Sequence, residues 1–449
     1  MRSNYSLLFR FLFALLLLFS ACTRGGDEPE IKEIAKEDYL SDDNLILYFR
    51  SQLEADLIAP APEQTYQEIV RPSEKGATQA NMWNLWKEAN KGRLSENKWE
   101  IPATSKEVVW NIPQEERMRI KLLTKGEKPG TGYPMFINLH GGGSYPDAPS
   151  AWGATINEEE WFAAIALSLE YEDSPSFYFV PRMSDDRKGR WHYAPQRKAF
   201  KRAYQLAVLS GEIDPDRVYL LGISEGGYGC IRLSTFMPDY FAAIGPMAAA
   251  TETGDILSNL RNVVFRMDVG DQDYMFGRNY YAYRWFEKME QLRAENPQDF
   301  EHLIKIHKGY GHGIPYHEMS PWLIKYRRRN YPQRVTYEYY NIDDGYSDAI
   351  YYLSFRQLKP EKDARILFDV KHQDNHFEVT ATPKRGKVTG VLTLYVDRVD
   401  FSKPVTVSLN GKKIFDKRLF MNRGTMIEAI AQFGDPKRIF AAKVDVPLE

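Results

Sequence analysis

The chain is 449 residues long, 43 % apolar and 27 % charged, which gives it material for a sizeable core and for two or three domains of roughly 150 residues each. That balance excludes a mainly disordered chain and a polytopic membrane protein. With 59 Lys and Arg against 61 Asp and Glu the net charge is −2, so the chain has no general electrostatic attraction for nucleic acid or anionic lipid.

In chain order, Arg2 and Arg10 precede a wholly apolar run over residues 11–19, followed by Ser20, Ala21 and Cys22. A basic start, a short apolar core and small residues describe a secretory signal. The run is too short to cross a bilayer as a helix, which takes about 20 residues. Small residues ending at a Cys resemble a bacterial lipobox, with Phe19 in place of the usual Leu. The resemblance implies an exported lipoprotein, in the periplasm or at the outer-membrane surface. Residues 1–22 would then be the signal, with Cys22 lipidated and the membrane met through that anchor alone. Cys230 is the other cysteine, so no disulfide is expected.

Residues 23–106 read as a tether and a helical extension. Leu45, Phe49, Leu53 and Leu57 recur every fourth position after the capping sequence Ser41-Asp42-Asp43-Asn44, and Met82, Leu85, Trp86 and Ala89 repeat the spacing. Such stripes are packing surfaces before they are binding sites. Over residues 107–330 short apolar runs alternate with amphipathic ones. Strands are expected at 108–112, 118–123, 135–139, 177–180, 218–222, 242–247, 263–269 and 303–307, with helices at 158–169, 197–209 and 280–295. This alternation predicts a mainly parallel sheet covered by helices on both faces, with its active site at the C-terminal ends of the strands. The basic run Lys325-Tyr326-Arg327-Arg328-Arg329 reads as the cationic last turn of a helix. Over residues 333–449 the helical pattern is absent. Strands are expected at 335–340, 349–357, 365–370, 377–381, 388–396 and 405–409, with Asn410-Gly411 as a hairpin turn, and these predict a β-sandwich-like domain.

The strongest chemical signal is Val218-Tyr219-Leu220-Leu221-Gly222-Ile223-Ser224-Glu225-Gly226-Gly227. An apolar strand runs into Gly-x-Ser-x-Gly and then into a helix, the setting in which a serine is projected on a strained turn above a sheet. A Gly-rich turn with a capping Ser is the plainer alternative, and the partners elsewhere in the chain count against it. Upstream, the strand at 135–139 leads into His140-Gly141-Gly142-Gly143. Glycines there leave backbone N–H groups unscreened, and Gly142, Gly143 and the N–H of Glu225 are the expected oxyanion donors. His140 is expected to fix the loop. No Lys-Ser or Lys-Thr follows, so a phosphate-binding P-loop is excluded.

An acid and a His are needed next. The strand at 263–269 leads into Gly270-Asp271-Gln272-Asp273, and that at 303–307 into Gly309-Tyr310-Gly311-His312-Gly313. Of the eight histidines, His312 fits by order and place, and His317 is its rival. His312 would take the proton of Ser224 and return it to the leaving group while the acid held its tautomer. Trp152, Trp191 and Tyr193 lie in loops on the same side and could stack on a substrate ring, although packing anchors are as good a reading. No His or Cys spacing suits a metal, and no cofactor is implied.

On these motifs residues 107–330 resemble the α/β-hydrolase superfamily. Within it they resemble the branch holding esterase-D-like, feruloyl and acetylxylan esterases and the catalytic domains of prolyl-oligopeptidase-type peptidases. The run Ile213-Asp214-Pro215-Asp216-Arg217-Val218 is typical of that branch, whereas Glu225 stands where its members often carry Met, Tyr or Ala. The resemblance implies an α/β-hydrolase sheet flanked by helices, and it places the acid three residues after a Gly, which selects Asp273. It implies a serine esterase acting on carbohydrate-linked or small acyl esters, with an ester substrate as its small-molecule partner. A serine exopeptidase and a non-catalytic glycan-binding surface lipoprotein are the alternatives. Oligomeric state is not legible.

Overall fold

The computed structural model describes residues 35–449 apart from 54, 56–57, 113–116, 253 and 344. The expected secretory signal, Cys22 and the start of the tether lie outside the described residues. Eight strands form one sheet: β1 (Ser105–Asn111), β2 (Arg117–Lys125), β3 (Tyr133–Leu139), β4 (Ser176–Pro181), β5 (Ile213–Ile223), β6 (Ala243–Met247), β7 (Val264–Gly270) and β8 (His302–His307). Their order is β1-β2-β4-β3-β5-β6-β7-β8. The pairs β1–β2 and β2–β4 are antiparallel, and all other neighbours are parallel.

Alternation along the strands builds two cores. Met135, Ile137, Phe177, Phe179, Val218 and Leu220 face one core, while Phe136, Tyr178, Val180, Tyr219 and Leu221 face the other. The first is covered by α4 (Ala194–Ser210), α5 (Glu225–Phe236) and α6 (Arg278–Glu295), the second by α3 (Thr155–Glu170) and α7 (Met319–Leu323). This order and layering define the α/β-hydrolase fold. Each expected strand of residues 107–330 falls on one of these eight.

The N-terminal helices α1 (Asp42–Arg50) and α2 (Lys75–Glu96) extend the first core. Ser41 caps α1 by accepting the N–H of Asn44. Leu45, Phe49, Met82 and Trp86 are wholly buried, with the Phe49 and Trp86 rings edge to face. Leu53 is buried beyond the end of α1, and Leu57 lies outside the described residues.

The C-terminal strands are β9 (Arg334–Tyr339), β10 (Ala349–Ile350), β11 (Leu353–Pro360), β12 (Arg365–Gln373), β13 (His376–Arg385), β14 (Val388–Val396), β15 (Pro404–Leu409), β16 (Lys412–Arg418) and β17 (Ala442–Leu448). They form the sheets β10-β11-β14-β17 and β16-β15-β13-β12-β9, which share one core. Asn410 and Gly411, both at positive φ, join β15 to β16.

Three expectations are corrected here. The run 349–357 is two strands, because the chain turns at Tyr351 (φ +48°) and β10 folds back on β11. The helical pattern does not end before residue 333, since α8 (Arg423–Phe433) stands between the cores. Its Met426, Ile427 and Ile430 join the first core and its Ala429 and Phe433 the second. A helix buried on both sides lacks the polar face that makes periodicity visible. The third correction is the basic run, which lies beyond α7 as an ion-paired strut. Arg327 meets Asp214 at 3.0 Å, Arg328 meets Asp435 at 2.8 Å, and Arg329 meets Asp299 at 3.3 Å.

Candidate active site

Ser224 follows β5 at φ 54° and ψ −115°, and α5 begins at the next residue. A non-glycine residue at positive φ is strained, and here the crossing of strand and helix enforces it. A Cβ on Gly226 would lie 2.0 Å from the carbonyl oxygen of Leu139, so only glycine lets α5 start this close to β3. The backbone of Ser224 is held from both sides. Its N–H donates to Met247 O, and its carbonyl accepts the N–H of Tyr228, each at 2.9 Å.

The expected acid and base come together at the ends of the parallel neighbours β7 and β8. His312 Nδ1 donates to Asp273 Oδ2 at 2.7 Å, which fixes the tautomer and leaves Nε2 as the acceptor. Asp273 is 3 % exposed, and its other oxygen accepts from Arg278 Nη1 at 2.9 Å. Arg278 is itself buried and donates through Nε to the Tyr228 hydroxyl at 2.8 Å. The side chain of His312 is 45 % exposed, open towards solvent. Asp271 has another task, accepting the N–H of Gly309 at 2.8 Å and so stapling the two loops together. His317 is exposed beside Glu170, and among the described residues it is His312, not His317, that bonds Asp273.

The glycine loop is pinned from behind. His140 is buried, and its Nδ1 donates to Gly141 O at 2.7 Å while its Nε2 accepts the N–H of Met183 at 3.0 Å. Burial, with the Arg182 guanidinium nearby, pushes its pKa down to about 3, so the ring stays neutral as this pair of bonds requires. Gly142 sits at φ 89°, a conformation that favours glycine. Gly143 is a correction to the expected donors. Its N–H is taken by Asn157 Oδ1 at 2.9 Å, so Gly142 and Glu225 remain. Asn157 Nδ2 in turn donates to Gly143 O at 3.0 Å and to Asp186 Oδ1 at 2.7 Å, and the Arg182 fork holds both oxygens of Asp186. Nothing in the spacing of Asn157, Arg182 and Asp186 signals this buried support.

The aromatic candidates are corrected as well. Trp191 is wholly buried and donates to His140 O at 3.1 Å, a packing anchor behind the loop. Trp152 lies beneath the guanidinium groups of Arg117 and Arg119, and Tyr193 immediately precedes α4 with its ring edge to face with that of His192. None of the three lines the cleft at Ser224. That cleft, of about 560 Å³, is lined instead by Gly142, Gly143, Arg190, His192, Ser224, Glu225, Tyr228, Arg232, Phe276 and Arg278 among others. Glu225 is 8 % exposed. Burial pushes its carboxyl up to about 7 even though Arg190 Nη1 stands 2.8 Å from Oε2. Among the described residues no group of three His, Cys, Asp or Glu side chains is placed to hold a metal ion.

The chain has the α/β-hydrolase fold and carries Ser224, Asp273 and His312 in that order. No protein-family model and no curated protein sequence matches it. Among solved structures it is similar to a thermostable esterase, at 16 % identity and a TM-score of 0.37 over 51 % of this chain and 64 % of that one. It is also similar to a ferulic acid esterase, at 16 % identity and a TM-score of 0.34 over 49 % of this chain and 99 % of that one. A third likeness is to LpqC, a poly(3-hydroxybutyrate) depolymerase from Bordetella parapertussis, at 15 % identity and a TM-score of 0.36 over 50 % of this chain and 88 % of that one. The chain spans less than two thirds of the length of the first of these.

Proposed function

We propose that this protein is a serine hydrolase that cleaves carboxylic esters through an acyl-enzyme on Ser224. The observation that carries the reading is the 2.7 Å bond from His312 Nδ1 to the buried Asp273, in a chain whose Ser224 is held at positive φ on a strand-to-helix turn. His312 Nε2 takes the Ser224 proton as Oγ attacks the acyl carbon, and the tetrahedral oxyanion is met by the N–H groups of Gly142 and Glu225. His312 then returns the proton to the departing alkoxide. Water enters by the same route and releases the acid. Carbohydrate-linked or small acyl esters suit a base this open to solvent. Esters are favoured over amides because an alkoxide leaves more readily than an amine and asks less of the imidazole. Export with a lipid on Cys22 belongs to the same proposal and is supported by residues 1–22 of the sequence.

Two measurements test it. A fluorophosphonate should label the protein at Ser224, and Ser224→Ala should abolish the label and lower kcat by about 10⁴-fold or more. On matched substrates kcat/KM for a short-chain ester should far exceed that for the amino-acyl amide. Labelling that survives in Ser224→Ala, or efficient dipeptide release with poor ester turnover, would refute the reading.

A further inference from the structure

The cleft beside Ser224 brings three guanidinium groups, those of Arg190, Arg232 and Arg278, to one concave surface. Two of them are occupied. Arg278 holds Asp273 and the Tyr228 hydroxyl, and Arg190 holds Glu225. Arg232 is different. It stands on α5 seven residues after Glu225 and four after Tyr228, so the three share one helix face, and that face lines the cleft. Its side chain is exposed, and among the described residues no carboxylate pairs with it and no acceptor takes its N–H groups.

The surroundings keep the charge positive. His192, on the same wall, is held neutral by burial and by the nearby Arg232 and Arg190, with its pKa lowered to about 3. Arg190 Nη1 lies 3.7 Å from the point a Cβ on Gly143 would occupy, so cationic charge reaches the edge of the oxyanion loop. The opposing carboxylates of the lining are Glu225, committed to Arg190, and Glu252, which is exposed. A planar fork of unpaired donors in a concave site matches a carboxylate in shape and charge.

We infer that the ester substrate carries a carboxylate, which Arg232 binds with its guanidinium fork while Arg190 raises the local positive potential. The inference rests on the ester-hydrolase reading and deepens it. The carboxylate can sit on either side of the scissile bond, in the acyl group of a dicarboxylic half-ester or in the alcohol of an acylated hydroxy or uronic acid. The recognition chemistry is the same.

The test compares two pairs of esters. One pair is a succinate half-ester and its fully esterified counterpart, and the other is an acetylated hydroxy acid and its amide. In at least one pair kcat/KM should favour the anionic member by about 10- to 100-fold, the range of a charge-assisted bidentate contact. Arg232→Gln should bring that ratio close to one, Arg232→Lys should restore part of it, and the preferred pair identifies the side that carries the charge. Because Arg232 is exposed, neither variant threatens the fold. Neutral members preferred in both pairs, with a ratio indifferent to Arg232→Gln, would overturn the inference. If no ester is cleaved and no phosphonate labels Ser224, the hydrolase reading itself falls. Calorimetric titration of succinate and glucuronate then decides the anion site. Binding of either that weakens with salt and is lost in Arg232→Gln keeps the site, and no binding removes it.

Discussion

Glu225 gives the most quantitative handle on the site, because it is a carboxylate that burial holds partly protonated beside the nucleophile. Its neighbours Arg190, Arg232 and Arg278 all favour the charged form, yet desolvation outweighs them and raises the pKa from the ordinary 4.5 to about 7. At about 1.4 kcal/mol per pH unit the displacement is worth roughly 3 kcal/mol. The sign follows from proton binding. Between these two values the unfolded chain has lost the Glu225 proton while the folded chain keeps it, so stability falls as pH rises. The favourable contribution is whole below 4.5 and gone above about 7. Glu225→Gln removes the titration and resembles the protonated carboxyl in shape. The variant should therefore match the wild type near pH 4.5 and gain on it by roughly 2–3 kcal/mol by about pH 8. Urea unfolding of both proteins, followed by tryptophan fluorescence across that range, measures the difference. Parallel pH profiles would refute the reasoning. So would a variant less stable than wild type at pH 8, since the Arg190–Glu225 ion pair would then outweigh the cost of burial.

Two further outcomes are expected. Asp273→Asn should lower kcat by about 10⁴-fold by upsetting the His312 tautomer, whereas Asp271→Asn, which touches only the Gly309 N–H, should leave most activity. Steady-state kinetics on one ester ranks the two, and the reverse ranking would move the acid to Asp271. If Cys22 carries a lipid, Cys22→Ser should abolish incorporation of labelled fatty acid and release the protein from membranes, and unchanged labelling would return residues 1–22 to an ordinary cleaved signal.

The sheet and the order of its chemistry are local in origin, and so they were legible. A buried parallel strand is an uninterrupted apolar run, and each of β3, β5, β7 and β8 ends in glycines next to the residue that matters. Gly222-Ile223-Ser224-Glu225-Gly226 announces the turn because no other residue tolerates the contact with Leu139 that Gly226 makes. Only the family resemblance, which places the acid three residues after a Gly, separates Asp273 from Asp271 in the sequence, and it is Asp273 that bonds His312.

What the sequence could not supply is which way a side chain faces once loops from distant strands converge. Trp152, Trp191 and Tyr193 lie near the site in the chain but do not line the cleft, and Trp152 and Trp191 are held by partners that only the packed layers bring near. Gly143 has the backbone freedom of an oxyanion donor, but Asn157, fourteen residues on, takes its N–H. The helix α8 is buried between two cores, with Arg423, Thr425 and Gln432 buried along with its apolar residues, and burial on both sides blurs the periodicity by which a helix is recognised. The cluster of Arg190, Arg232 and Arg278 is likewise tertiary, with one guanidinium from the loop before α4, one from α5 and one from the start of α6. Apolar runs and glycines declare where the chain is buried and where it turns. The long-range contacts of the folded sheet decide which charges share a cavity, because such contacts have no fixed spacing along the chain.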